Sequence, residues 1–114
     1  MLPNRALIVC DTPEEAYSLL QFLESTGEVY WNYEGRQMYY ESCWSYKDRE
    51  EQLCYCLDHG RVGFCNTSWF KESMQRSYLN DEDPSWNFIS VDEFITRCGG
   101  SVKNETEISL EGLI

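Results

Sequence analysis

The sequence predicts an α+β domain: a small, mostly antiparallel sheet with two helices packed on one face. Three observations predict it. Two segments carry strong helix-capping chemistry ahead of an apolar stripe at helical spacing. A pair of apolar segments flanks His59 and Gly60, a turn that reverses the chain into a hairpin. The chain has 114 residues, which suits one domain, and it is 42% hydrophobic and 15% aromatic, too rich in both to stay unfolded despite its charge.

Arg5–Cys10 is the first expected strand. Ala6, Leu7, Ile8, Val9 and Cys10 run without a polar break and stop at Asp11. Thr12 then caps a helix of about residues 13–25. Pro13 takes the first helical position, where its missing N–H costs nothing, and Glu15 completes a capping box with Thr12. Ala16, Leu19, Leu20 and Leu23 form the apolar stripe, Phe22 widens it, and Gly27 ends the helix. Residues 29–33 and 37–42 read as two strands around Glu34, Gly35 and Arg36, and residues 43–52 as a polar loop or short helical turn.

Leu53–Asp58 and Arg61–Asn66 predict the hairpin. His59 and Gly60 suit a type I′ turn, which needs positive φ at both central positions. In that register Leu57 faces Val62, Tyr55 faces Phe64, and Cys54 faces Cys65. Leu53, Tyr55, Leu57, Val62 and Phe64 then share the core face. Residues 67–86 are expected to be the least regular stretch, with residues 80–84 an acidic loop ended by proline. Phe88 and Ile89 form a short strand. Ser90 caps the second helix with Glu93 three residues on, and Ile89 and Phe94 occupy the two positions of a hydrophobic staple. Val91, Phe94, Ile95 and Cys98 make its stripe, and Gly99 and Gly100 end it. The domain is therefore residues 1–100, followed by a polar, acidic tail at 101–114.

Nine basic residues face twenty acidic ones, a net charge of −11. Direct binding to a nucleic-acid backbone needs clustered Lys and Arg, so it is excluded, and anionic membrane surfaces are disfavoured for the same reason. A domain of this charge is drawn to basic partners, including proteins that themselves bind nucleic acid. The sequence shows neither a secretory pattern nor a run long enough to span a membrane, so a cytoplasmic chain is expected. Its six cysteines are then thiols, and the sequons at Asn66 and Asn104 go unused.

No nucleophile–base pair, phosphate-cradling glycine loop or metalloprotease helix is visible, so no catalytic residue and no cofactor is expected. Cys10 precedes a helix N-terminus, where a thiol can be activated, but a buried strand-end cysteine is the simpler reading. Cys54, Cys56, His59 and Cys65 are the nearest approach to a metal set. However, the Cys54–Cys56 gap is tight for zinc, and His59 falls on the turn, about 15 Å or more from the Cys54–Cys65 pair by strand rise. Small apolar residues on a strand face are the preferred reading, and a Cys54–Cys65 bridge is not expected in a reducing compartment.

Glu14 and Glu15, like Asp92 and Glu93, are accounted for by helix N-termini, where negative charge is favoured. Glu50 and Glu51 read as a solvated face. Asp81, Glu82 and Asp83 have no capping role in this reading. They are either a solvated loop or, with Trp86, a contact surface. Tyr30, Trp31, Tyr33, Tyr39, Tyr40, Trp44, Tyr46, Trp69, Phe70 and Trp86 exceed what one small core needs. They fit a protein contact surface or a sheet packed with large residues, and both readings stay open. The binding candidates are thus Asp81, Glu82, Asp83, Trp86, Glu50, Glu51, Trp44 and Tyr46. Aromatic edge strands also allow a homodimer.

The opening strand followed by Asp11-Thr12-Pro13-Glu14-Glu15-Ala16, and the closing Phe88-Ile89-Ser90-Val91-Asp92-Glu93-Phe94-Ile95, resemble small acidic accessory proteins of bacterial viruses and prophages, anti-CRISPR inhibitors among them. The resemblance brackets residues 5–98. It implies a non-enzymatic inhibitor that occupies a basic, nucleic-acid-binding surface of a host protein such as a defence nuclease. The alternative is a protein that binds or sequesters a small, nucleotide-like ligand by aromatic stacking, with Arg36, Arg49 or Arg61 answering its phosphate.

Overall fold

Arg5–Cys10 forms strand β1, the strand that organises the rest. With β2 (Leu53–Asp58), β3 (Arg61–Asn66) and β4 (Asn87–Ser90) it makes a four-stranded sheet in the order β3-β2-β1-β4. The structure, a computed structural model, describes residues 2–31, 52–72 and 75–100. Trp44, Tyr46, Glu50 and Glu51, the strand expected at 37–42, the loop at 43–51 and the tail at 101–114 lie outside those residues.

β1 and β2 pair antiparallel from Arg5 opposite Asp58 to Cys10 opposite Leu53. β2 and β3 pair in the expected register, with Leu57 opposite Val62, Tyr55 opposite Phe64 and Cys54 opposite Cys65. The turn has φ of 49° at His59 and 86° at Gly60, as a type I′ turn requires. β4 pairs with the other side of β1, but in parallel.

Helix α1 (Pro13–Thr26) begins as its sequence dictates. The Glu15 N–H donates to Thr12 Oγ1 at 3.2 Å. The reciprocal bond comes from Asp11, whose N–H donates to Glu15 Oε1 at 3.0 Å, one residue earlier than a regular capping box. Gly27 ends the helix at φ 70°, a left-handed conformation that favours glycine.

One face of the sheet carries the main core. Ala6, Ile8 and Cys10 of β1, with Leu53, Tyr55 and Leu57 of β2, pack against Leu19, Leu20 and Leu23 of α1 and against Phe94 and Ile95 of the last helix. Burial of each such leucine or phenylalanine contributes about 1.5–3 kcal/mol.

The opposite face departs from expectation. The described part of residues 67–86 is not irregular: it contains α2 (Thr67–Glu72), α3 (Gln75–Tyr78) and a 3₁₀ turn (Pro84–Trp86). They cover a second apolar cluster of Leu7, Cys54, Cys56 and Phe70, with Cys65, Tyr78, Leu79 and Phe88 packed around it. The physical reason is that β2 is buried on both faces, so a second layer has to cover it. Helices of six and four residues are too short to show a period, which is why the sequence hides them.

The last helix, α4 (Val91–Arg97), is capped by Ser90, whose Oγ accepts the Glu93 N–H at 3.2 Å. Ile89 and Phe94 are both buried, as the staple requires. The α+β class, with α1 and α4 together on one face, is therefore the observed architecture. Of the strand expected at 29–33, the described part is a single parallel bridge, Tyr30 to Arg61. The Tyr30 N–H donates to Gly60 O at 2.7 Å, so the chain touches the hairpin at its turn. Among the described residues no helix is long and apolar enough to cross a membrane.

Candidate functional site

The parallel pairing of β1 with β4 places two helix N-termini side by side. Val9 is paired with Ser90, and α1 and α4 begin just beyond these residues. The first turns of both helices are acidic, with Glu14 and Glu15 on α1 and Asp92 and Glu93 on α4. Asp11 precedes α1. A cleft of about 310 Å³ opens between the two starts, lined by Asp11, Glu15, Gln52, Lys71, Phe88 and Asp92 together with Val9, Ser90 and Val91.

Its side chains are held from several elements. Gln52, ahead of β2, donates from Nε2 to Asp11 Oδ1 at 2.6 Å. Lys71, on α2, sets its Nζ 5.1 Å from the centroid of the Phe88 ring, within cation–π range. Phe88 owes its position to a bulge. Leu7 faces Asn87 while Ile8 faces Ile89, so Phe88 is the extra residue in β4, and its φ is 59°. A non-glycine residue there carries about 1–3 kcal/mol of strain. Bulges of this kind re-aim a side chain, and this one lets Phe88 both line the cleft and pack on the second core. Carboxylates around an aromatic ring accept hydrogen bonds from ammonium or guanidinium groups, which the ring also attracts.

The loop singled out by its sequence lies at the other end of β1. Asn80 donates from Nδ2 to Arg5 O at 3.0 Å, whereas Asp11 follows Cys10, about 17–20 Å away by strand rise. Asn80 also shapes the loop, because its Oδ1 accepts from the N–H groups of Glu82 (3.1 Å) and Asp83 (2.9 Å). Asp81 and Glu82 are exposed and border a cleft of about 250 Å³ shared with Arg5 and His59.

Asp83 has a different task. Contrary to the expectation that no capping role applies to this run, it is the N-cap of the 3₁₀ turn. It accepts from Ser85 N at 3.2 Å and Ser85 Oγ at 2.5 Å, and pairs with Arg97 Nη2 at 3.3 Å. The Ser85 hydrogen bonds, with Arg97 adding to them, hold its carboxyl below the usual carboxylate range. Trp86 is half-buried, 3.8 Å from the Arg97 guanidinium and edge-to-face with Phe94 at 5.7 Å. The structure thus separates the candidates Asp81, Glu82, Asp83 and Trp86: the first two face solvent, and the last two join the turn to α4.

The possible metal set is not assembled. Cys54, Cys56 and Cys65 belong to the second face, while His59 sits on the turn with Nδ1 2.7 Å from Asp58 Oδ1. Asp58 Oδ1 also accepts from Arg5 Nε at 3.3 Å. Among the described residues no group of three or more His, Cys, Asp or Glu side chains could hold a metal ion. Burial pushes the Cys54 thiol up, and it pushes Cys56 up to about 12. Cys10 is buried at the end of β1.

The structure divides the described aromatics by burial. Phe70 is core, and Tyr30 and Trp69 are the exposed large hydrophobics among the described residues. Sequence reasoning missed the cleft because it assigned each acidic pair to its own helix end and left Gln52, Lys71 and Phe88 without a role. A signal existed in the repeated order of strand, cap and helix. Two such units convergent at one sheet end need only that their strands lie parallel. The chain matches no protein family, no curated protein and no solved structure.

Proposed function

We propose that the protein is a non-enzymatic binding protein that sets its acidic sheet end against a basic, nucleic-acid-binding surface of a partner, such as a bacterial defence nuclease. The observation that carries this reading is the gathering of Asp11, Glu14, Glu15, Asp92 and Glu93 at two adjacent helix starts, in a chain of net charge −11. Complementary charge speeds encounter and rejects wrong partners. Asp81 and Glu82 add exposed carboxylates at the far end of β1, beside Arg5 and His59. A nucleotide-like ligand fits the cleft poorly, because Asp11, Glu15 and Asp92 repel phosphate and Lys71 is the one cation among its described lining residues.

The test uses the full chain, immobilised, against a bacterial lysate at low and at high salt. The expected capture is of nucleic-acid-binding proteins, retained at low salt, released at high salt and displaced by added duplex DNA. The triple variant Glu14→Gln, Asp92→Asn, Glu93→Gln should lose them while staying folded, because these side chains are exposed or half-exposed. Capture that ignores both DNA and the triple variant would overturn the reading.

A further inference from the structure

The second face of the sheet, which the acidic site does not use, carries a pair of thiols in direct cross-strand register. Cys54 of β2 faces Cys65 of β3, and both are free thiols. The hairpin closes on Asp58 opposite Arg61, a hydrogen-bonded pair in a two-residue turn. Hydrogen-bonded and non-hydrogen-bonded pairs alternate along an antiparallel ladder, so Cys54 and Cys65, four residues further on each strand, form a hydrogen-bonded pair. Cα atoms in such pairs are about 5.5 Å apart, inside the range that a disulfide spans. Their Cβ atoms are about 4.5–5.5 Å apart, wider than the roughly 3.8 Å of a relaxed bridge. A bond there closes under strain and is readily reduced. Cys56, the other thiol of this face among the described residues, stands opposite Gly63 on β3 and Leu7 on β1 rather than a cysteine.

We propose that Cys54 and Cys65 form a reversible cross-strand disulfide by exchange with a small-molecule disulfide, which would make the hairpin beneath α2 a redox-sensitive site. Cys65 is half-exposed and meets the oxidant first, whereas Cys54 is fully buried. The Cys65 thiolate attacks one sulfur of oxidised glutathione, forms a mixed disulfide and releases one glutathione. The Cys54 thiolate then attacks the Cys65 sulfur and expels the second glutathione. Two protein thiols lose their protons and two electrons pass to glutathione, so the exchange balances. Burial, with Cys56 and Cys65 alongside, raises the Cys54 thiol, so the second step is the slow one and quickens as pH rises.

The experiment treats the folded full chain with oxidised glutathione at neutral and alkaline pH, quenches with iodoacetamide and digests with trypsin. Cleavage at Arg61 separates Cys54 from Cys65, leaving peptides 50–61 and 62–71 joined only through sulfur. The expected result is a Cys65–glutathione adduct that converts to the linked peptide pair, faster at alkaline pH, and that returns to free thiols with a reductant. The linked pair persists in Cys56→Ser and vanishes in Cys65→Ser. Fragmentation of the wild-type pair assigns the bond to Cys54, so the result does not depend on whether Cys54→Ser folds. A bond placed at Cys56, or glutathione adducts that never convert to the linked pair at alkaline pH, would overturn the proposal.

Discussion

The Arg97 guanidinium lies 3.8 Å from the centroid of the Trp86 ring, and the same side chain reaches Asp83 Oδ2 at 3.3 Å. One arginine on α4 thereby fastens the 3₁₀ turn that leads into β4. Its Nη1 also donates to Ser85 O at 3.1 Å. Stacking of this kind contributes about 0.5–1 kcal/mol at an exposed site. Arg97→Ala should therefore lower unfolding stability by about that amount or slightly more. Arg97→Lys should recover part of it, because an ammonium cannot stack as a plane. Urea denaturation of the two variants checks both statements.

Asp83 gives the fold an acid-sensitive joint. Its folded pKa is lowered, mainly by Ser85 and then by Arg97, so its contribution is complete above the unfolded value of 3.8 and is lost as pH falls through the folded value. The melting temperature of the wild type should fall more steeply below that unfolded value than that of Asp83→Asn. Equal slopes for the two proteins would show that Asp83 carries no such linkage.

The buried thiols act at the other end of the pH scale. Burial first, and then the neighbouring Asp58, pushes Cys56 up from 9.0 to about 12. A raised pKa means that the neutral thiol belongs to the folded state. The contribution is fully present below pH 9.0 and is lost between there and about pH 12, as the unfolded chain ionises first. In Cys56→Ala the alkaline loss of stability over that interval should be shallower than in the wild type, measured by chemical denaturation at stepped pH.

Gly60 cannot be replaced without cost. Its φ is 86°, and a Cβ there would stand 2.9 Å from Glu28 O and 3.3 Å from the Tyr30 ring. Gly60→Ala should destabilise by about 1–2 kcal/mol, from the left-handed backbone alone, with the close contact adding to it. Hydrogen exchange of the Tyr30 N–H, which donates to Gly60 O, should speed up in the same variant.

What could be read from the residues was local. Thr12, Pro13 and Glu15 mark where α1 starts, Ser90 and Glu93 mark where α4 starts, and His59 with Gly60 sets the register of β2 on β3. Each of these signals acts across a turn or less of chain, so neighbouring residues carry the whole of it. The acidity was legible in the same way, as a sum that needs no structure.

The candidate site was not legible, because its parts meet only through pairing at long range. Gln52 lies 41 residues from the Asp11 carboxylate it holds, and Arg97 lies 14 from Asp83. The parallel pairing of β4 with β1, the bulge at Phe88 and the short helices α2 and α3 are likewise decisions of the tertiary fold. A sheet buried on both faces needs a second layer wherever the chain can supply one. In the same way, two acidic helix starts come together only when the strands ahead of them lie side by side and point the same way.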